Sequence, residues 1–509
     1  MSTGLTRNWV TPIGAMRTLI SPALTIHVLL ASALLAQSAE QAAATASGLM
    51  AAGRFADAAA AYEIAVKALP ANPGLRLNLG MAYHMAGNDR LAVAPLEAAL
   101  KANPNLPPAL LFLGASYFRL GEPAKAVPHL RKYLATDPAH EPARAMLAQA
   151  ALETAQFDEA ATQFHAMPPT AQSLFSLGKA YEGLASQAFD KLDRAARESG
   201  YWFALLAESR SKVSQSRAAF LLYRKAAAKL PSMRGLHAAI AEIYRRTGHA
   251  DWAATEDALE AKLPKPNCAA ARTLECEFAA GRFLPLATTA KPRLTAESFY
   301  WQAKAYDALA RDSFTKLAAL PESVEVHQLL AEMHRDQGRH TEAVAQWQAA
   351  LKLKKGDPAL RRELAASLFA TKDYENAQAM LTGLLAAEPV SADLNFLQGD
   401  LLLAQQQAEP AIPFLEKAAA AEPRMLAARA ALGRALLQAG RAADAIPHLK
   451  AALPADTDGA LYFQLARAHQ AAGQEAESKA AMAKYQQIRA RSGAAERELD
   501  EEGQIGPPR

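Results

Sequence analysis

At 509 residues the chain is too long for one ordinary globular core, so it is either several domains or a repeat array. Hydrophobic residues make up 51 % of it, with alanine prominent and β-branched residues sparse, a balance that favours helix. A net charge of +4, from 55 basic and 51 acidic residues, leaves no electrostatic footprint for nucleic acid, and two cysteines are too few for a disulfide scaffold.

The chain opens unlike the rest. Arg7 and Arg17 precede a largely apolar run from Leu19 to Ala36, and small residues follow at Ala36, Ser38 and Ala39. A basic stretch, an apolar stretch and a small-x-small exit describe a secretory signal over residues 1–38, cut after Ser38. Export to the periplasm or the exterior is expected; the alternative is an uncleaved anchor. Ser21, Pro22, Thr25 and His27 interrupt the run, which is short for a span of ~20 apolar residues. No later segment reads as membrane-spanning.

From residue 39 onward the sequence repeats. Leu79–Gly87 (LGMAYHMAG) returns as Leu113–Gly121 (LGASYFRLG), 34 residues later. Gly53, Gly87 and Gly121 share that spacing, as do Pro70, Pro104 and Pro138. The second half of the unit recurs from Ala92, Ala126, Ala411 and Ala445. Leu79, Gly80 and Tyr83 fall on one face of a first helix, where the glycine allows close approach. Gly87 suits the point of reversal, Asp89 is placed to cap the second helix, and Ala92, Leu96 and Ala99 form that helix's buried face. Pro104 follows its end.

A 34-residue period carrying Leu-Gly-x-x-Tyr, a later Ala and a closing Pro resembles the tetratricopeptide repeat, and does so over about residues 39–490. The resemblance implies an all-α fold, an α-solenoid of stacked helix-turn-helix hairpins in which each hairpin buries its faces only against its neighbours. Residues 39–169 read as four regular units. Residues 324–490 read as five, with inter-helix turns at Gly338, Lys372, Gln406, Gly440 and Gly473 and a capping helix at the end. Between them, 170–323 is irregular: a first helix runs on from Leu177 through Ala196, Tyr201-Trp202-Phe203 restarts the pattern, and a second helix near Ala310–Pro321 looks shortened. A kink or change of pitch is expected there. Residues 491–509 read as a solvated tail.

The sequence carries no phosphate-binding glycine loop, nucleophile elbow or zinc-protease motif. The nearest approach to a metal set, His327, His334 and His340, has the wrong spacing, and no metal or cofactor is expected. Cys268 and Cys276 leave two readings open. If Ala269–Glu275 is helical, eight residues hold the two Cα atoms about 12 Å apart, beyond the ~7 Å limit for a bridge. If Pro264 and Pro266 delay the helix to near Thr273, an exported chain would close the disulfide and staple the irregular middle.

The family's solenoids hold peptide or protein segments in the concave groove lined by first helices, so the resemblance implies a non-catalytic adaptor. In the first block the groove positions are nearly neutral. In the last block they are Gln328, Glu332, Arg362, Phe396, Asp400, Arg434, Phe463 and Arg467, a lining rich in arginine and aromatic side chains, which suit an acidic segment. Two other readings stand beside this one. One is a scaffold that self-associates through Tyr201, Trp202 and Phe203; the other is a repeat-bearing enzyme with a site hidden in 170–323.

Overall fold

A computed structural model describes residues 22–269, 272–501 and 503–508. It contains 26 α-helices and no strand among the described residues. The basic start of the expected signal segment, with Arg7 and Arg17, lies outside them. The first described helix, Pro22–Ala51, runs through the expected cut after Ser38, so cleavage would leave Ala39–Ala51 as its remainder. That remainder already carries the buried positions Ala39 and Ala46. Among the described residues no helix is long and apolar enough to cross a membrane.

The chain divides into two compact units at Met167 and Pro168. The first unit holds four hairpins: Pro22–Ala51 with Phe55–Ala68, Pro73–Met85 with Asp89–Ala102, Pro107–Arg119 with Pro123–Leu134, and Glu141–Glu153 with Phe157–His165. Within each, a residue at left-handed φ ends the first helix: Gly53 (72°), Gly87 (80°), Gly121 (72°) and Ala155 (55°). The next amide then donates back into the helix, Asn88 to the Tyr83 carbonyl at 2.8 Å. This Schellman closure requires positive φ, which is why glycine recurs there. The repeat glycine inside the first helix has a different reason. A Cβ on Gly80 would lie 2.4 Å from Leu96 Cγ, and one on Gly114 2.7 Å from Leu130 Cγ, each partner 16 positions onward. The repeat tyrosines Tyr83 and Tyr117 donate to Glu63 and Glu97 on the preceding second helices.

One expectation is corrected in this unit. Asp89 does not cap its helix. It is the first residue of the helix, 7 % exposed, and its carboxylate bonds His84 and Arg119 instead.

The second unit resolves the irregular middle as an insertion. Helix Ala171–Ala196 packs along helix Ala296–Ala318. Gly178 faces Phe314, with a would-be Cβ only 2.3 Å from the ring. Phe175–Phe314 and Tyr181–Tyr306 ring contacts (6.4 and 6.3 Å) and a shared cluster of Leu174, Leu317 and Leu329 complete the seam. This is the glycine-to-large-residue contact of the regular repeats, but with 136 residues between its members (314 − 178) in place of 16. A single repeat has been opened at its inter-helix turn. The segment near Ala310–Pro321 is therefore not a shortened helix: it is the end of a continuous 23-residue helix whose partner lies far back in sequence.

Three small hairpins fill the opening: Gly200–Lys212 with Ser216–Lys229, Leu236–Arg246 with Ala250–Lys262, and Leu274–Ala279 with Phe283–Ala290. Cys268 and Cys276 are bridged, with Cα atoms 5.4 Å apart. The helix starts at Leu274, capped by the Thr273 side chain, which leaves the preceding loop free to bring Cys268 round. Tyr201-Trp202-Phe203 turns inward and forms no exposed seam. Phe203 is buried, the Trp202 indole N–H donates to Asp193 at 2.7 Å, and the Tyr201 ring lies tilted against Tyr300 at 5.4 Å.

Five regular hairpins follow, from Val324–Asp336 with His340–Leu353 to Ala460–Ala471 with Glu475–Glu501. Positive φ falls at Gly338, Lys372, Gln406, Gly440 and Gly473. The final helix continues past residue 491 to Glu501. Arg217 of the insert donates to the Leu499 carbonyl (3.0 Å) and Tyr244 to that of Gly506 (2.7 Å), so the chain end lies against the insert.

Candidate functional site

Within the second unit, first helices of the array touch one another: Ala171–Ala196 with Val324–Asp336, Pro358–Ala370 with Ala392–Ala404, Ala392–Ala404 with Leu426–Gln438, and Leu426–Gln438 with Ala460–Ala471. First helices therefore line the inner face, and the residue after each repeat glycine or alanine points along it. Reading that position through the array gives Lys179, Glu332, Ala366, Asp400, Arg434 and Arg467. Lys179 was not legible in sequence, because the insertion moves it 153 positions from its neighbour Glu332.

The row is a charge ladder: cationic at Lys179, anionic at Glu332 and Asp400, and cationic at Arg434 and Arg467, with Ala366 neutral between the two carboxylates. Lys179 Nζ lies 3.2 Å from Glu332 Oε2, and Arg434 Nη2 lies 2.9 Å from Asp400 Oδ1, in each case between adjacent first helices. Burial pushes the Glu332 carboxyl above its usual range, and Lys179 offsets only part of that effect. Arg362 pairs with Glu388 at the end of a second helix. Gln328 is half-buried, and Phe396 packs partly into the core of the last repeats. A hollow of about 260 Å³ opens beside the Asp400–Arg434 pair, lined by Phe369, Leu403, Ala404 and Gln438. At the end of the row Arg467 is exposed and pairs with no carboxylate among the described residues. Phe463, 36 % exposed, stands one turn before it, with its ring 5.3 Å from Tyr485 of the last helix.

Elsewhere the structure gathers a Ser, a His and an Asp. His84 Nδ1 lies 2.7 Å from Asp89 Oδ1 and 2.9 Å from Ser116 Oγ, and Arg119 Nη1 lies 3.1 Å from His84 Nε2. Nucleophilic catalysis needs the serine on the nitrogen opposite the aspartate. Here both share Nδ1, Ser116 is fully buried, and a guanidinium that can only donate occupies Nε2. Nε2 must accept, so the imidazole is neutral with its proton on Nδ1. The cluster is a polar lock between repeats. Burial lowers the His84 pKa, and Arg119 adds to the effect against the pull of Asp89. His327, of the sequence's histidine set, bonds Gln346 and Glu322, each at 2.8 Å, while His340 begins the next helix.

Two tetratricopeptide-repeat family models match the chain, one at residues 117–177, 334–401 and 402–468, the other at 44–107, 90–141 and 303–358. Together they cover more than half of it and leave the insert unmatched. No curated protein matches the chain. Among solved structures, it is similar to MamA from strain MSR-1, at 24 % identity over 33 % of this chain and 98 % of that one, with a TM-score of 0.30. It is also similar to MamA from Desulfovibrio magneticus RS-1, at 19 % identity over 34 % and 98 %, with a TM-score of 0.31. These likenesses cover a third of the chain. With the matched repeats and the recurring glycine contacts together, the chain belongs to the tetratricopeptide-repeat family, whose arrays serve as protein-interaction scaffolds.

Proposed function

We propose that the chain is a non-catalytic adaptor, exported to the cell envelope, that holds an acidic protein segment on the inner face of its last repeats. The observation that carries the reading is the end of the charge ladder. Lys179 and Arg434 already have carboxylate partners, whereas Arg467 is an exposed guanidinium beside a partly exposed aromatic ring. Arginine binds carboxylates bidentately, and arginine–aromatic neighbours are enriched where binding energy concentrates. The array continues the site inward through the Arg434 hollow towards Phe396 and Arg362. Export rests on the basic-apolar-small pattern of residues 1–38 and on the presence of a disulfide in so cysteine-poor a chain.

The test is affinity capture from native envelope extract with the chain from Ala39, wild type against Arg434→Glu/Arg467→Glu. The expected result is a partner retained by the wild type and lost by the variant, with the variant's helix content unchanged. A partner held equally by both would move the site off this face. The location is tested separately, by fractionation and N-terminal sequencing of the mature chain: an intact N-terminus on protein from the cytoplasm would overturn export.

A further inference from the structure

The insert carries its own hollow, of about 360 Å³, beside the first half of helix Ala296–Ala318. Its walls are aromatic: Tyr223, Phe278, Tyr300 and Trp301. Its rim charges are mostly spoken for. Lys304 Nζ sits 2.6 Å from Glu208 and 5.5 Å from the centre of the Phe278 ring. Arg234 pairs with Glu260 at 3.4 Å and donates to the Leu263 carbonyl at 3.0 Å.

Three polar groups of the lining have no partner among the described residues: the Glu275 carboxylate and the hydroxyls of Tyr223 and Tyr300. The two tyrosines are 6 % and 4 % exposed. A buried phenol ordinarily finds a hydrogen-bond partner, and the only cation acting on the partly buried Glu275 carboxylate is Arg234, which is already paired with Glu260. Desolvation raises the Glu275 pKa, Arg234 opposes that from a distance, and Glu297 and Glu260 reinforce it. The group missing from this arrangement is a cation that donates hydrogen bonds. Lys304 displays the same chemistry within the fold, an ammonium held between a carboxylate and the Phe278 face.

We propose that this hollow binds the lysine side chain of a partner peptide, with its ammonium against Glu275 and donating to the Tyr223 and Tyr300 hydroxyls, and its stem along Phe278 and Trp301. The disulfide is part of the site. Glu275 and Phe278 stand on a six-residue helix, and Cys276, next to Glu275, ties that helix to Cys268. The bridge is a positioning device for the carboxylate.

The experiment uses the full chain and two probes, Nα-acetyl-lysine methylamide and its uncharged norleucine counterpart, read by saturation-transfer NMR on the probe. Transfer to the lysine probe is expected in the wild type, weakened about tenfold or more in Glu275→Gln, since a charge-assisted hydrogen bond is lost with no change of shape. Tyr300→Phe and Cys268→Ser/Cys276→Ser are expected to weaken it as well. Matching helix content and melting curves for Glu275→Gln show that its fold is intact. Equal transfer to norleucine, undiminished transfer in Glu275→Gln, or no transfer in the wild type, meaning that water alone fills the hollow, each overturns the proposal. Arg434→Glu/Arg467→Glu is expected to leave the lysine signal unchanged, so the failure of this site and that of the adaptor surface are told apart.

Discussion

Opening a repeat at its turn makes a demand that no linear array makes: Gly178 must feel a residue 136 positions away. A methyl group on Gly178 would lie 2.3 Å from Phe314 Cε1 and 2.6 Å from Cζ. Overpacking of that kind costs about 1–3 kcal/mol, and the half-buried Phe314 ring has room to yield, which favours the lower half. Helix propensity returns about 0.5–1 kcal/mol when glycine becomes alanine. Gly178→Ala alone should therefore destabilise by about 1 kcal/mol. In a Phe314→Ala background the obstructing ring is gone, only the propensity gain remains, and the same substitution should stabilise. The cycle thus predicts a reversal of sign and a coupling of about 1–3 kcal/mol. Urea unfolding of the four full-length chains, followed by circular dichroism, measures it. The Gly399–Leu415 pair, 16 positions apart with a would-be contact of 2.5 Å, supplies the reference for an unsplit repeat. Additivity within about 0.5 kcal/mol would refute the split repeat.

The inter-helix turns give a second expectation. Gln406 and Lys372 both hold φ 63° where other repeats place glycine, and a side chain there costs roughly 1–2 kcal/mol. Gln406→Gly should raise the urea midpoint despite the added freedom of the unfolded chain, and Gly121→Ala should lower it. In the first unit, His84 and His129 have pKa values lowered by burial from 6.5. The unfolded chain then takes up protons more readily, so stability is fully present above pH 6.5 and is lost as pH falls through the depressed folded values. Each histidine contributes at most about 1.4 kcal/mol per pH unit. Melting the chain at pH 7.5 and 5.5 should show the loss, and His84→Gln should shrink the difference between the two. For the adaptor face, exchanging the ladder pair as Asp400→Arg/Arg434→Asp should preserve both fold and partner capture, whereas Arg467→Glu alone should abolish capture. Loss of capture in the swap would put the anchor at Arg434.

The regular repeats were legible because their causes are local. Leu79, Gly80, Tyr83 and Gly87 each answer to a contact or a φ angle set within one hairpin, and the same reasons recur every 34 residues. Even the turns without glycine, at Lys372 and Gln406, could be placed from the period alone. The middle was not legible in the same way. The helix ending near Ala318 read as shortened, Gly178 carries no mark of where its partner lies, and a helix that packs on two arrays shows no period for either. Asp89 misled for a similar reason: at the start of a helix an aspartate reads as a cap, and only the next repeat, through Ser116 and Arg119, shows that it belongs to His84. On the inner face, sequence put Glu332, Asp400, Arg434 and Arg467 at one repeat position but could not say which were already neutralised, since that depends on how far apart adjacent first helices sit.

The insertion stands where the fold tolerates it most. The two helices of a hairpin run antiparallel, so the end of Ala171–Ala196 and the start of Ala296–Ala318 lie close together whatever chain is placed between them. The entropy of closing a loop grows only with the logarithm of its length, and here the loop folds into hairpins of its own. The repeat glycine contact survives because it sits on the far half of each helix, away from the opening. What the insertion adds is a second face on helix Ala296–Ala318. Phe314 and Leu317 close the repeat of the main array, and about three and a half turns before them Trp301 and Lys304, with Tyr300, line the hollow of the insert. A single helix therefore joins the insert to the main array, and the charged groups of the two proposed sites are opposite: a guanidinium on the last repeat, a carboxylate in the insert. The two proposed sites would not compete, because Arg467 and Glu275 stand on different helices and have no partner in common.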